Sequence, residues 1–196
     1  MTEKSSEIPK TDNTSKTSGV KKPENKVVKL NEYAEGAEVH YDLDVLREFL
    51  DLVFYGVDEG AEVLTWNARG NIPGYPIPEE SLYERLKRSR KPFALYYSTA
   101  SAERDDEDKL FNRKSLFKAM HVVVLDDIGH GPGSKYKPEG LPEGLTPTYI
   151  IESSPDNFQY GYVLEEPITE LPLAQALIQV VYEAGISDGG GRLANK

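Results

Sequence analysis

The 196-residue chain contains no cysteine. A disulfide framework and a thiolate metal site are therefore both excluded. It has a single tryptophan, two methionines and three histidines. No run of 18 apolar residues occurs, and the N-terminal stretch lacks the hydrophobic segment of a secretory leader. These absences point to a soluble protein inside a cell or a virus-infected cell. Positive charge is also scarce: 23 Lys and Arg stand against 33 Asp and Glu, a net charge of −10. The imbalance is uneven, because the first 30 residues carry +3 and the rest −13. A strongly acidic body argues against duplex binding over a broad face. It leaves room for a local basic track and for carboxylates offset by metal ions.

Residues 1–29 are rich in Lys, Ser, Thr, Glu and Asn and nearly free of large apolar groups. Such a segment cannot bury enough surface to offset the entropy of ordering, so it reads as a disordered basic tail. Residues 30–196 read as one domain.

Within that domain, residues 42–55 (DLDVLREFLDLVFY) place Leu43, Leu46, Phe49, Leu50 and Val53 at helical spacing. Asp42 or Asp44 suits the start and Gly56 the end. Residues 62–67 alternate as a strand; Trp66 in it reads as core or rim packing rather than a base-stacking platform. Residues 71–78 form a Gly/Pro turn region. Residues 78–90 (PEESLYERLKRSR) read as a second helix, proline in its first turn and bases in its last. Arg85, Lys87, Arg88, Arg90 and Lys91 make the one dense basic patch of the body. Residues 93–98 read as a strand, 99–108 as a polar loop, and 112–120 as a short helix or turn. A strand over residues 122–125 follows. Residues 129–146 hold five glycines and three prolines, which implies a long loop. Residues 149–152 and 159–164 read as strands joined by a Ser-Ser-Pro-Asp-Asn turn, and residues 171–184 as a helix.

The order of elements predicts an α+β fold, a mixed central sheet flanked by helices. Two strands deliver chemistry. Val122 to Leu125 form a β-branched run of the kind buried on both faces. Asp126 and Asp127 follow it, and two such carboxylates suit one or two divalent cations in phosphoryl transfer. An Asp capping the following turn is the alternative. Adjacent strand residues point to opposite faces, so the acids serve one site only if the chain bends between them. In Gly129-His130-Gly131-Pro132-Gly133 the glycines allow backbone N–H groups to approach phosphate, and a plain flexible loop is the alternative. His130 is the best placed of the three histidines; His121, at the start of the strand, reads as structural. The hydroxyls and amides of Ser153, Ser154, Asn157 and Gln159 suit phosphate or sugar oxygens, with a simple hairpin turn as the alternative.

VVVLDDIG followed, after a Gly/Pro loop, by PTYIIESSPDNFQYGYVLEEP resembles the catalytic core of archaeo-eukaryotic-type primases. The likeness is to the RepB-like plasmid and phage replication branch, and it covers roughly residues 90–196. It implies a primase-like fold with an RRM-like core. It makes Asp126 and Asp127 the metal-binding catalytic acids and Asp188 a third catalytic acid. It places Ser153, Ser154, Asn157 and Gln159 near the nucleotide phosphates, joined by Arg192; His130 of the glycine loop is a further phosphate-binding candidate read from the loop itself. Glu152 would be an extra carboxylate. The two acids are adjacent here, where the superfamily has them one residue apart, and Asp156 stands where glycine is usual. The chain also ends before the Arg-Leu-Pro segment of the branch, so the domain is expected to be incomplete at its C-terminus.

The resemblance implies a primase or primase-polymerase carrying out metal-dependent nucleotidyl transfer, with Mg²⁺ or Mn²⁺ as the cofactor, since all-oxygen ligands favour hard cations. Its partners would be a single-stranded DNA template, nucleoside triphosphates and a replicative helicase domain or protein, with no membrane. Arg85, Lys87, Arg88, Arg90 and Lys91 would track the template. The location would be the cytoplasm of a bacterial host or phage-infected cell. Two other functions stay open: a non-catalytic module that binds nucleic acid or a partner protein, and a metal-dependent phosphohydrolase or nuclease.

Overall fold

The structure is a computed structural model that describes residues 27–29, 41–68, 76–89 and 94–187. Its elements run β1 (Val27–Lys29), α1 (Leu43–Val53), β2 (Glu62–Ala68), α2 (Glu79–Arg88), β3 (Ala94–Ala102), β4 (Phe117–Gly129), β5 (Tyr149–Ser154), β6 (Asn157–Ile168) and α3 (Leu171–Glu183). The fold is α+β. Five strands form an antiparallel sheet, and β1 adds to β5 in parallel, giving the order β1-β5-β6-β4-β3-β2. No described helix is long and apolar enough to cross a membrane.

The centre of the sheet is β4. Its run from Ala119 to Leu125 is buried without a break, as the Val-Val-Val-Leu pattern requires of a strand covered on both sides. Val122 and Val124 face the core under α1, with Leu50, Val53, Phe54 and Tyr149. Val123 and Leu125 face the opposite core, with Ile128 and Ala174 of α3. The α1 stripe is the expected one: Leu50 and Val53 are buried, and Leu43, Leu46 and Phe49 pack against them. Asp42 caps the helix, its carboxylate accepting from Val45 N at 3.0 Å. α2 lies on the same face as α1 through Leu82 and Leu86, which meet Leu43, Leu46 and Leu95.

Four expectations are corrected. The tail was expected to be disordered over residues 1–29, but Val27–Lys29 pairs with β5; residues 1–26 lie outside the described residues. Residues 99–102 belong to β3 rather than to a loop. Their small side chains let Ala100, Ser101 and Ala102 be buried on the sheet. Residues 112–120 hold only a 3-10 turn (Lys114–Leu116), and the strand begins at Phe117. Finally, β4 does not stop before the acids. It runs on to Gly129, so Asp126 and Asp127 lie inside it.

Candidate metal and nucleotide site

The last third of β4 carries a β-bulge. Leu125 pairs with Tyr160 and Ile128 with Phe158, so three steps on β4 oppose two on β6. Asp126 and Asp127 are the residues inside that interval. Asp127 takes a left-handed backbone, φ +60°, which few residues other than Gly, Asn and Asp accept. This is the bend that two adjacent acids need, and bulges commonly re-aim side chains in this way. The Asp126 carboxylate folds back on the chain, Oδ1 accepting from Asp127 N at 2.9 Å.

The bend presents Asp127 to the β5–β6 turn. Asn157 Nδ2 donates to Asp127 Oδ1 at 3.2 Å, and Lys135 Nζ lies 2.6 Å from Oδ2. The Asp127 side chain is only 19% exposed, so the pairing with Lys135 offsets much of the desolvation of the carboxylate. Its carbonyl accepts from Lys135 N at 2.9 Å and Tyr136 N at 3.1 Å. Asn157 is buried and gathers the turn: its Oδ1 accepts from Ser134 Oγ at 3.0 Å, and its carbonyl accepts from Ser153 Oγ at 3.1 Å. Ser154 is exposed on the tip, and Gln159 lies half-buried opposite Ile151.

Turn and loop are moulded together by two glycines. A Cβ at Gly129 would lie 2.2 Å from Asp156 O, and one at Gly131 2.2 Å from Pro155 O. The N–H groups of His130 and Gly131 both donate to Asp156 O, at 3.1 and 2.8 Å. These glycines therefore serve close backbone packing, with their amides engaged by protein. Asp156 itself has φ +53°, a backbone that glycine adopts at less cost.

A second support comes from far along the chain. Backbone pairing between β3 and β4 begins only at Ala100 and Met120, leaving the rim half of β4 without β3. There the buried Ser187 takes the place of a strand: its Oγ lies 3.5 Å from Val124 O and 3.4 Å from Asp126 N. Asp188, the expected third acid, is the next residue, and it lies outside the described residues together with Arg192, Arg90 and Lys91.

Of the sequence candidates, the fold gathers Asp126, Asp127, Ser153, Ser154, Asn157 and Gln159 at one rim. The His130 ring reaches Glu139 Oε1 at 3.3 Å instead. Arg85, Lys87 and Arg88 form the last turn of α2 beside β2, with Lys87 and Arg88 both paired to Glu84. α2 packs beside β2, which is two strands from β4 in the sheet order. Lys135, Ser134 and Ser187 carry much of the geometry and were not among the sequence candidates, because no local pattern marks them.

Beneath the rim, on the α1 face, the hydroxyls of Tyr97 and Tyr149 share a hydrogen bond. Burial pushes the Tyr97 hydroxyl up to about 12; the Tyr149 hydrogen bond works against the rise and the nearby Asp126 charge adds to it. Burial likewise raises Tyr149 well above the ordinary tyrosine range. Both phenols are neutral and serve as hydrogen-bonding packing under Asp126.

As ligands for a hard cation, the carboxylates of Asp126 and Asp127 are of the right kind. Among the described residues no three His, Asp or Glu side chains gather as a set. Glu152 is turned to the hairpin, its Oε1 accepting from Asp156 N at 3.2 Å.

The chain matches no protein-family model, no curated protein and no solved structure. The primase resemblance therefore stands on the residues of the acidic strand and the Ser-Pro turn.

Proposed function

We propose that the rim of β4, β5 and β6 is a nucleotidyl-transfer site of the primase or primase-polymerase kind, acting on nucleoside triphosphates along a single-stranded DNA template. The observation that carries the proposal is the contact of Asp127 Oδ1 with Asn157 Nδ2 at 3.2 Å. It joins the two motifs, 30 residues apart, on which the resemblance rests.

Asp126 and Asp127 would hold Mg²⁺ or Mn²⁺, with Asp188 following Ser187 as the third acid. The metal would supply charge neutralisation at the triphosphate and activation of the attacking hydroxyl. The protein's own groups do the rest. The bulge aims Asp127, and Asn157 holds its Oδ1. Lys135 occupies Oδ2 in the absence of another cation and, once released from it, is a ready phosphate partner. The exposed Ser154 hydroxyl offers a hydrogen bond to a phosphate oxygen.

The Lys135–Asp127 pair also favours a second reading, a binding module in which the lysine has permanently taken the place of a metal. One experiment separates the two. The full chain is given a single-stranded template, with and without primer, labelled nucleotides and either metal. Extension that disappears in Asp127→Ala supports the enzyme. Template binding without extension in any condition supports the module, and shortening of the DNA replaces both with a nuclease.

A further inference from the structure

One exposed feature lies outside the rim. Trp66 on β2 and Tyr96 on β3 are register partners, and their rings stack with centroids 6.0 Å apart and planes 13° apart. Tyr96 is 46% exposed, and Trp66 is half-buried. Strand alternation puts both on the face opposite α1 and α2, which pack on Val63, Leu95 and Tyr97. Trp66 packs instead in a cluster with Leu64, Ala102, Leu110, Phe111 and Leu116, to which no residue of α1, α2 or α3 belongs. At the far end of that cluster the Arg113 guanidinium stands 3.9 Å from the Phe111 ring centroid. Arg113 and Lys114 are exposed.

We infer that this shelf binds single-stranded nucleic acid, with a base stacking on Tyr96 as the next plane after Trp66. Three observations carry the inference. The ring pair is nearly parallel, and among the described residues no second ring stacks on Tyr96; planar bases complete such a stack, and every base has a π-face. β3 lies between β2 and β4, so the side of Tyr96 away from Trp66 is the side of the strand that bears Asp126 and Asp127. Beside the aromatic cluster, Arg104 and Lys109 are held in ion pairs, whereas Arg113 and Lys114 make no ion pair among the described residues, which leaves them for phosphate. The inference deepens the nucleotidyl-transfer reading, on which it rests for the direction the strand takes toward the acids.

Trp66 is the chain's only tryptophan, so its emission reports on this shelf alone. The full chain is titrated with oligo(dT), following Trp66 fluorescence and the anisotropy of a labelled oligonucleotide. Binding should quench Trp66. Tyr96→Phe should bind as the parent does, and Tyr96→Ala should bind about tenfold or more weakly, the loss of one stacked base. Arg113→Gln should reduce the salt slope by about 0.7, one phosphate contact on a single strand. Circular dichroism of each variant checks that it folds; should Tyr96→Ala fail to fold, Tyr96→Leu takes its place.

Failure of the parent to bind oligo(dT), or unchanged affinity in the folded Tyr96 variant, overturns the shelf. So does quenching by a proline-rich peptide in place of the oligonucleotide. Tyr96-dependent binding without nucleotide incorporation upholds the shelf and removes the nucleotidyl-transfer reading. Incorporation with template affinity unaltered in the Tyr96 variant does the reverse.

Discussion

The Tyr149 ring lies directly over Gly161. A Cβ built at Gly161 would stand 1.9 Å from Cζ of that ring and 2.2 Å from Cε1. The two residues are register partners on β5 and β6, so an aromatic on one strand covers the bare backbone of the other. The ring then reaches Phe49 edge-on at 5.0 Å between centroids and the Tyr97 hydroxyl. Gly161→Ala forces that ring, or the strand, to move. The expected cost is about 1–3 kcal/mol, the range for overpacking, read as a lowered denaturation midpoint with an unchanged m-value.

The left-handed residue of the hairpin gives a second expectation. Pro155 fixes its own φ near −65° and leaves Asp156, at φ +53°, to turn the chain. Asp156→Gly should change stability by less than about 1 kcal/mol, because the conformational relief is offset by a looser unfolded chain. Asp156→Val places a β-branched residue where the backbone rejects it and should cost more than about 1 kcal/mol. Thermal melts of the pair decide it: equal melting temperatures would refute the strained turn.

The buried His121 sets a pH dependence. Its Nε2 is 2.9 Å from Ser101 Oγ, and Nδ1 is buried without a partner. Burial lowers its pKa from 6.5, against the opposing pull of the Asp58 charge. Below about pH 6.5 the unfolded chain therefore binds a proton that the folded chain refuses. Stability from this group is complete above pH 6.5 and falls as the pH drops toward the folded pKa, at up to about 1.4 kcal/mol per pH unit. Denaturant midpoints from pH 7.5 to 5.5 should show the decline in the parent and a flatter profile in His121→Gln.

On the proposed function, Lys135 and a metal ion compete for one carboxylate oxygen. Lys135→Met removes the resident cation and leaves Asp127 partly buried without its charge partner. The variant should be less stable without metal, by about 1–3 kcal/mol, and regain stability with Mn²⁺ to a greater degree than the parent. Melting temperatures with and without Mn²⁺ measure both effects, and equal Mn²⁺ shifts in parent and variant would argue against a cation at Asp127.

The packing of β4 shows why some elements were legible in the chain and others were not. Val122 to Leu125 could be read as a central strand because burial on both faces demands an unbroken apolar run. α1 could be read because its stripe repeats at helical spacing and Asp42 caps it. The ends of β3 and β4 could not. Ser101 and Ala102 look like loop residues, and their strand character comes from contact with His121 and Leu116.

The sequence by itself determined the α+β class, the three helices, the double-faced β4 and the two polar motifs that follow its strands. These follow from local spacing and from the polarity of residues close in the chain. The tertiary structure alone decided that the adjacent acids lie at the rim shared with the β5–β6 turn. That needed a bulge measured against β6, the left-handed turn at Asp127, and the arrival of Asn157, Lys135 and Ser187 from other segments. Contacts between residues 8 to 61 positions apart leave no periodicity in a sequence; they exist only where the sheet brings its strands side by side.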